Sequence, residues 1–272
     1  MKYLNIILLS LSSLCAIGCS GGDTSEEVKP TPTTPTGVDE QLANYVAPTY
    51  NDDYTSIASW DNRSKWNLAN VHDPTVMKAD DGYYYMYQTD ASYGNVTNGY
   101  GHYMGRYSRD LVNWTILASP MKQTPPSWIK DSLNAIRARM SLAPIDNPQY
   151  GFWAPVVRNV DGKFRMYYSV IVDNYIKSGL PNTEANFDGS WTERAFIGLM
   201  ESVNPGSNIW VDKGYVISSV SDRASYARTS TNDWSGYFKW NAIDPSFITT
   251  PNNEQWLVYG SWHSGIVAVK LD

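Results

Sequence analysis

The stretch Val71–Val76, which has the sequence VHDPTV, places a carboxylate between a histidine and a proline at the start of an apolar run. A similar motif, NAIDPSFI, occupies Asn241–Ile248, and a third motif, FWAPVV, occupies Phe152–Val157. The prolines of the three phrases lie 81 and 90 residues apart in the chain. A phrase that recurs at long, similar intervals indicates a structural repeat.

Each repeat continues as a short apolar run, a turn cluster and an aromatic-rich run typical of a β-strand. The turns are Asp80–Gly82, Asp161–Gly162 and Pro251–Asn253, and Asp-Gly between two such runs is a strong hairpin signal. The first two repeats carry two further strand-like runs each, at 102–108, 114–118, 195–202 and 210–218. Four antiparallel strands per repeat are typical of a β-propeller blade, whereas a plain β-sandwich would not explain the recurring phrase.

The third repeat supplies only three predicted strands, at 245–250, 255–261 and 265–271. We therefore expect an all-β chain with about two and a half blades, which is either an N-terminal fragment of a longer propeller or a product truncated by an early stop. The blade spacing is lengthened by two insertions. Lys122–Gln149 is predicted to contain a helix over 126–142, and Asp173–Arg194 is predicted to be polar and loop-like.

The composition favours a neutral, polymeric ligand. The chain has 272 residues with 11 Trp and 20 Tyr, whose flat faces suit stacking on sugars or bases. Its formal net charge of -6 argues against nucleic acid, because nucleic-acid binders are normally basic.

The first residues are typical of a secretion signal. Residues 1–19 combine Lys2, an apolar run and small residues before Cys19, in a pattern that resembles a bacterial lipobox with Ala16 in place of the usual Leu. We expect lipidation at Cys19 and a secreted protein anchored to the bacterial outer membrane or cell surface. An ordinary cleaved signal with an incidental cysteine is the alternative. Residues 20–47 are predicted to be a Pro/Thr-rich tether, and 48–272 the propeller domain.

Two carboxylates stand at equivalent positions of the repeat. Asp73 and Asp244 each precede a proline at the start of a predicted innermost strand, so both should face one mouth of the central funnel. Proline after the aspartate is expected to keep that residue extended. Two carboxylates in an aromatic-lined pocket indicate glycoside hydrolysis, in which one acid protonates the leaving oxygen and one base activates water. Capping of a turn by Asp-Pro is the alternative, and the repetition favours function.

The phrases HDPTV, FWAPVV, NAIDPSFI and YGSWHSGI together resemble the motifs of glycoside hydrolase family 43, a family of five-bladed β-propellers. The last two most resemble its arabinanases, which cleave α-1,5-linked arabinan with inversion. The resemblance runs from about Asn67 to Asp272, with breaks at the two insertions. It implies a five-bladed propeller in the full-length protein and arabinan or arabino-oligosaccharide as the substrate.

The resemblance also implies roles for individual residues. Asp73 would be the general base that holds the attacking water, and Asp244 would raise the pKa of the general acid. The residues implied to contact the sugar are His72, Trp153, Asn241, Ala242, Ile243, Ser261, Trp262 and His263.

One role has no match. The family's general acid is a glutamate of a later blade, whereas Glu254 lies in a hairpin expected at the far end of the blade. Glu184, Glu193 and Glu201 lack the motif. We therefore expect this chain alone to be nearly inactive, because protonation of the leaving group contributes roughly 10²–10⁴-fold. Some relatives bind Ca²⁺ through a histidine of a later blade, so no cofactor is expected within this chain and Ca²⁺ is expected only in the full-length protein.

Three alternatives remain open. An exo-acting α-L-arabinofuranosidase or β-xylosidase would use the same scaffold, and a non-catalytic glycan-binding lipoprotein would keep the aromatic residues. A metalloenzyme is poorly supported, because His72, His102 and His263 show no short ligand spacing. We expect a monomer attached to the membrane through its lipid only.

Overall fold

The computed structural model describes residues 43–46, 71–90, 101–192, 195–219, 227–233, 240–261 and 265–271. Its strands are β1 (Thr75–Lys78), β2 (Tyr84–Tyr87), β3 (Gly105–Ser108), β4 (Thr115–Leu117), β5 (Tyr150–Val160), β6 (Lys163–Val172), β7 (Ala195–Ser202), β8 (Val211–Ser218), β9 (Ser246–Thr249), β10 (Gln255–Tyr259) and β11 (Val267–Leu271). The helices are α1 (Trp128–Arg139) and two short 3₁₀ turns, Glu184–Asn186 and Pro205–Ser207. The signal segment with Cys19, and most of the tether, lie outside the described residues.

The strands form three antiparallel sheets, each of which follows the chain order. The first sheet is β1-β2-β3-β4, the second is β5-β6-β7-β8, and the third is β9-β10-β11. This arrangement confirms the prediction of an all-β chain with two four-stranded blades and part of a third. No helix in the portion that the structure describes is long and apolar enough to cross a membrane.

Tight turns set the register of the first two strands of each blade. In the second blade Val160 pairs with Lys163, so the connection contains only Asp161 and Gly162. Both residues have positive φ, 52° and 77°, as a two-residue type I′ turn requires. Gly82 and Asn253 occupy the left-handed region in the other two turns, with φ of 81° and 63°. The three turns predicted from the sequence are therefore confirmed.

The first strands of the blades pack side by side, with β1 against β5 and β5 against β9. A buried hydroxyl joins the first two blades, since Thr75 Oγ1 accepts a hydrogen bond of 3.2 Å from the backbone N–H of Val157. One apolar cluster, which includes Tyr87, Val157 and Phe196, fills the space between the first two blades. A second cluster, around Tyr167 and Phe247, lies between the second and third blades. The first strands of the three blades are thus neighbours in the order β1, β5, β9, as the innermost strands of consecutive propeller blades are.

The two insertions differ as the sequence predicts. Helix α1 buries Ile129, Leu133 and Ile136, which are spaced by four and three residues and therefore share one face. The segment 173–192 has no strand or α-helix and is held by local bonds, among them Ser178 N–H to Asp188 Oδ2 at 2.7 Å. Both insertions consequently add surface to the blades and leave the blade order unchanged.

Strand β5 is longer than the repeat predicts. It begins at Tyr150, five residues before Pro155, and pairs with β6 as far as Val172. The register shifts between Trp153 and Pro155, so Ala154 forms a bulge at the position that corresponds to the two aspartates. The β5–β6 ribbon therefore extends past the ends of β1 and β9.

The close pairing of β6 and β7 generates a testable stability prediction. Gly198 lies opposite Tyr168, and a Cβ at this glycine would be 2.2 Å from Tyr168 Cζ. Gly198→Ala should therefore lower the free energy of unfolding by at least about 1–3 kcal/mol, as overpacking does. Gly105→Ala is the matched control, because its Cβ would meet Tyr87 Cε1 at 3.0 Å and requires a smaller shift. Urea denaturation measures both variants, and equal stability of Gly198→Ala and wild type would contradict the prediction.

Candidate active site

A cavity opens where the first strands of the three blades come together. It is lined from the first blade by Asp73, Pro74, Thr75 and Val76, from the second by Ala154, Pro155, Val156 and Arg158, and from the third by Asp244 and Pro245. All three repeat prolines line it, together with both repeat aspartates. The structure therefore brings both carboxylates, from equivalent positions of two blades, to one cavity.

The backbone at both aspartates differs from the sequence-based expectation. Asp73 and Asp244 have positive φ, 46° and 54°, so they are left-handed and the expected extended conformation before proline is wrong. Aspartate is among the residues that tolerate this region, because its short polar side chain can bond locally. The positive φ turns each aspartate out of line with the strand that follows it, and each side chain thereby borders the cavity.

The Asp73 carboxylate is held by two neighbours. Its Oδ2 accepts a hydrogen bond of 2.8 Å from Thr89 Oγ1, and His72 Nδ1 lies 2.8 Å from the same oxygen. The backbone N–H of Thr89 donates to the carbonyl of His72 at 3.0 Å, which ties the two segments together. Asp73 therefore has Oδ2 held by protein groups, and the residue also lines the cavity.

A buried pair behind Thr89 fixes the segment that positions Asp73. His102 Nδ1 lies 2.5 Å from Asp90 Oδ2, and the imidazole stacks on Phe152 with a centroid separation of 3.6 Å. The backbone N–H of Asp90 donates to the carbonyl of Phe152 at 2.9 Å, which joins this segment to the second blade. The sequence does not single out Thr89 and Asp90, because no motif marks the end of the second strand of a blade.

Asp244 is positioned through its backbone. Its N–H donates a hydrogen bond of 3.1 Å to Ser169 Oγ, and the same hydroxyl donates to the carbonyl of Ala154 at 3.2 Å. Ser169 is fully buried in β6, so one hydroxyl connects the bulge of the second blade to the aspartate of the third. A single serine within an apolar strand does not indicate a structural role, so the sequence does not predict that Ser169 positions Asp244.

The electrostatics of the cavity distinguish the two carboxylates. Partial burial raises the pKa of Asp244 above its ordinary value, the nearby charge of Asp73 raises the pKa further, and the hydrogen bond with Ser261 opposes both effects. The two carboxylates are therefore close enough to repel each other. Arg158 brings a positive charge to the same cavity. Alternation along β5, which takes Ala154, Val156 and Arg158 to one face, is the signal that could have identified it.

The other predicted sugar contacts differ in how accessible they are to a ligand. Trp153 is 40% exposed beside the bulge, His72 is exposed beside Asp73, and Ser261 bonds to Asp244, so all three can reach a ligand. Asn241 is buried, and its Oδ1 accepts a bond of 2.7 Å from Ser219 Oγ.

Four further residues were predicted to contact the sugar, namely Ala242, Ile243, Trp262 and His263. Ala242 and Ile243 belong to the apolar cluster between the second and third blades, so the expectation that they line the sugar site is wrong. They are buried because the apolar residues just before Asp244 pack under the third blade. Trp262 and His263 lie outside the described residues.

Both carboxylates that line the cavity are aspartates. Glu254 bonds to Lys270 at the β9–β10 turn, the end of the blade opposite Asp244, as the sequence predicts. Glu201 forms an ion pair with Arg165 and lies outside the cavity, and Glu184 is exposed in its 3₁₀ turn. Glu193 lies outside the described residues. Among the glutamates that the structure describes, none is therefore placed to act as general acid.

Over the parts of the chain that the structure covers, no three His, Cys, Asp or Glu side chains are grouped so that they could hold a metal ion. A carboxylate or imidazole cluster for the Ca²⁺ that the resemblance implies in the full-length protein is therefore not found among these residues.

Comparison with known proteins gives one family and several relatives. The family model described as glycosyl hydrolases family 43 matches residues 68–272. The extracellular endo-α-(1→5)-L-arabinanase 1 of Bacillus subtilis is 31% identical over 211 residues, which are 76% of this chain and 49% of that protein. The extracellular exo-α-(1→5)-L-arabinofuranosidase of Cellvibrio japonicus is 27% identical over 204 residues, 74% of this chain and 44% of that protein. This chain therefore spans about half the length of the curated relatives it matches.

A solved structure, that of the native arabinanase of Bacillus subtilis, superposes on this chain with a TM-score of 0.48 and 27% identity, over 76% of this chain and 53% of that one.

The raised pKa of Asp244 predicts the pH dependence of a stability difference. A carboxyl whose pKa is higher in the folded than in the unfolded chain loses its favourable contribution as pH rises past the unfolded value, about 3.9. Asp244→Asn has no carboxyl to ionise, so its folding stability does not decrease in this pH range for that reason. Asparagine also tolerates the positive φ at this position. The variant should therefore unfold at higher denaturant concentration than wild type at pH 7, and the difference should shrink at pH 3. A variant less stable than wild type at pH 7 would contradict the assignment.

Proposed function

This chain belongs to glycosyl hydrolases family 43, and on that premise we propose that it forms the N-terminal blades of an enzyme that hydrolyses α-1,5-linked L-arabinan with inversion of configuration. The observation that carries the proposal is the convergence of Asp73 and Asp244, from equivalent positions of two blades, on one cavity. Paired carboxylates across a sugar-binding cavity are the machinery of glycoside hydrolysis.

The proposed mechanism begins with a water molecule at Asp73. This carboxylate takes a proton from the water as the oxygen attacks the anomeric carbon from the face opposite the leaving group. The bonds from Thr89 and His72 hold one carboxylate oxygen, which orients the side chain toward the cavity. The glycosidic oxygen leaves with a proton from a general acid. The family resemblance assigns that acid to a glutamate of a later blade.

Asp244 acts on the acid and on the sugar. A second carboxylate close to the general acid disfavours its ionised form, so the acid stays protonated near neutral pH. The hydrogen bond from Asp244 N–H to Ser169 Oγ fixes the aspartate for this role. The position of Arg158 in the same cavity limits the net negative charge there.

The proposed substrate is a neutral arabinan chain. The relatives from Bacillus subtilis and Cellvibrio japonicus are both named for α-(1→5)-L-arabinose linkages. The formal charge of -6 suits a neutral polymer better than a polyanion. Exo-cleavage is the second candidate, because the Cellvibrio japonicus relative is named as an exo-acting arabinofuranosidase. Product sizing separates the two, since an endo-enzyme releases a range of short oligosaccharides from the start.

We also propose secretion and lipid anchoring through Cys19. The relatives from Bacillus subtilis and Cellvibrio japonicus are both named as extracellular. The apolar run and the residues that precede Cys19 resemble a lipoprotein signal. The expectation of a monomer stays a prediction.

Lipidation at Cys19 can be tested by partition of the protein between detergent and aqueous phases. In a bacterial host that processes lipoproteins, the wild-type protein should enter the detergent phase of a Triton X-114 extract. Cys19→Ser should move it to the aqueous phase, since the acyl chains are attached at this residue. Cys15→Ser is the matched control and should partition like wild type. Equal partition of wild type and Cys19→Ser would refute lipidation.

The catalytic assignment predicts the effect of two isosteric substitutions. In the complete protein from its native source, Asp73→Asn and Asp244→Asn should each abolish hydrolysis of linear arabinan, a loss of at least about 10²–10⁴-fold. Each should leave the circular dichroism spectrum and arabino-oligosaccharide binding largely unchanged. Asp161→Asn, in the β5–β6 turn, makes the same chemical change outside the cavity and should keep full activity. Wild-type turnover by either cavity variant would sink the assignment.

A further inference from the structure

A buried tyrosine lies between the segments that hold the two cavity carboxylates. Tyr103 stands two residues before β3 and is fully buried. Its ring packs against Phe152 of β5 and Tyr168 of β6, with ring centroids 5.8 Å and 5.2 Å away. Its backbone bonds within the first blade and its hydroxyl bonds to the second. This one residue therefore reaches the supports of both carboxylates.

The backbone of Tyr103 is tied to the segment that holds Asp73. Its N–H donates to Asp90 Oδ1 at 2.8 Å, and the other oxygen of Asp90 faces His102 Nδ1. Both oxygens of the Asp90 carboxylate are thus engaged. Asp90 directly follows Thr89, whose hydroxyl donates to the Asp73 carboxylate. The position of Thr89 is therefore set one residue away, by a carboxylate that Tyr103 helps to hold.

The hydroxyl of Tyr103 is tied to the support of Asp244. It donates a hydrogen bond of 2.6 Å to the carbonyl of Ser169, whose own hydroxyl accepts from the backbone N–H of Asp244. Burial raises the pKa of the Tyr103 hydroxyl well above its ordinary value, so the group stays protonated and remains a donor near neutral pH. A continuous series of hydrogen bonds and short backbone segments thus runs from Asp73 through the protein interior to Asp244.

The backbone of Tyr103 is strained. Its φ is 60°, in the left-handed region, which is rare for a bulky aromatic residue. Such a conformation persists only when the surroundings determine it, and strained residues of this kind cluster at active sites. Here the bonds to Asp90 and Ser169 fix the two ends of the residue. The strain therefore favours a role for Tyr103 beyond filling the core.

We infer that Tyr103 is a positioning residue that couples the placement of Asp73 to the placement of Asp244. The inference rests on the proposed function, in which the two carboxylates must keep a fixed relative position while water attacks the sugar. Tyr103 is absent from the cavity lining and acts through Asp90 and Ser169. Its loss should consequently slow the chemical step and leave binding of the sugar chain unchanged.

The direct test removes one hydroxyl from the complete protein, taken from its native source. Tyr103→Phe keeps the ring and deletes the donor to Ser169. Steady-state kinetics on linear arabinan should show kcat lowered about tenfold, the effect of one lost hydrogen bond, and KM within about twofold of wild type.

Tyr168→Phe is the matched control. This tyrosine is also buried, but its hydroxyl donates to Asp212 of the outer strand β8, away from the cavity. The control should lose stability in urea denaturation and keep the wild-type kcat.

A second pair of variants tests positioning from the other end of the residue. Asp90→Ala removes the acceptor of the Tyr103 N–H and should lower kcat as Tyr103→Phe does. Asp90→Asn keeps an oxygen for that N–H and should restore kcat to within about twofold of wild type. Equal losses in the two Asp90 variants would mean that the charge of Asp90 matters and its bond to Tyr103 does not, which would contradict the inference.

Coupling itself is measured by a double-mutant cycle. Thr89→Val and Ser169→Ala each remove a hydroxyl that holds one of the two carboxylates, on opposite sides of Tyr103. With Tyr103 intact, the loss of kcat in the double variant should be smaller than the product of the single losses, because both changes break one series. With Tyr103→Phe added, the losses should multiply. Coupling that persists without the hydroxyl would pass through the cavity and would overturn the inference.

The outcomes separate this inference from the proposed function. If wild type hydrolyses arabinan and Tyr103→Phe has the same kcat as Tyr168→Phe, Tyr103 serves packing alone and the proposed function stands. If wild type does not hydrolyse linear arabinan, both proposals are overturned. A loss of kcat at constant KM in Tyr103→Phe and Asp90→Ala, with normal turnover in Tyr168→Phe, supports the inference.

Discussion

The hydroxyl of Ser169 joins two blades at the point where the candidate active site depends on their relative position. It accepts a hydrogen bond from the backbone N–H of Asp244 and donates one to the carbonyl of Ala154. A buried hydroxyl with a donor and an acceptor in place contributes stability, whereas either partner left alone would be penalised. The same bond that seals the second blade against the third therefore places a carboxylate in the cavity. The matching contact on the other side is Thr89 with Asp73.

Several features of the candidate active site lower the free energy of unfolding of the chain. Asp73 and Asp244 both hold left-handed backbone conformations, which cost on the order of 1–3 kcal/mol each for non-glycine residues. The pKa of Asp244 is raised by burial and by the charge of Asp73, so its ionised form is disfavoured in the folded chain. The surrounding packing offsets these terms, because the clusters on both sides of β5 are apolar and buried. Strain and electrostatic repulsion confined to one cavity within a well-packed scaffold are typical of a functional site.

The insertions extend the scaffold in two different ways. Helix α1 packs an apolar face on the core, and Trp128 Nε1 donates to Asp212 of β8, so this insertion is joined to the outer part of its blade. The segment 173–192 instead follows the extended β5–β6 ribbon and brings Asp173 and Asn182 to a cavity beside Trp153. Insertions leave a propeller's blade order intact because each connects strands at the surface, where backbone groups can bond to water or to one another. Ligand contacts can therefore change while the central carboxylates stay in place.

The sequence by itself determined the blades, the hairpin turns and the pairing of the two aspartates. Those features depend on local signals, namely alternation along strands, Asp-Gly turns and a repeated proline, and such signals do not require distant contacts. It also marked Trp153 and Ser261, which lie within the motifs FWAPVV and YGSWHSGI. Only the tertiary structure decided the left-handed backbone at both aspartates and the bulge at Ala154. The same holds for the burial of Ala242 and Ile243 and for the roles of Thr89, Ser169 and Arg158. These features arise where residues 15 to 75 positions apart meet, as Ser169 and Asp244 do, and no local pattern encodes such a meeting.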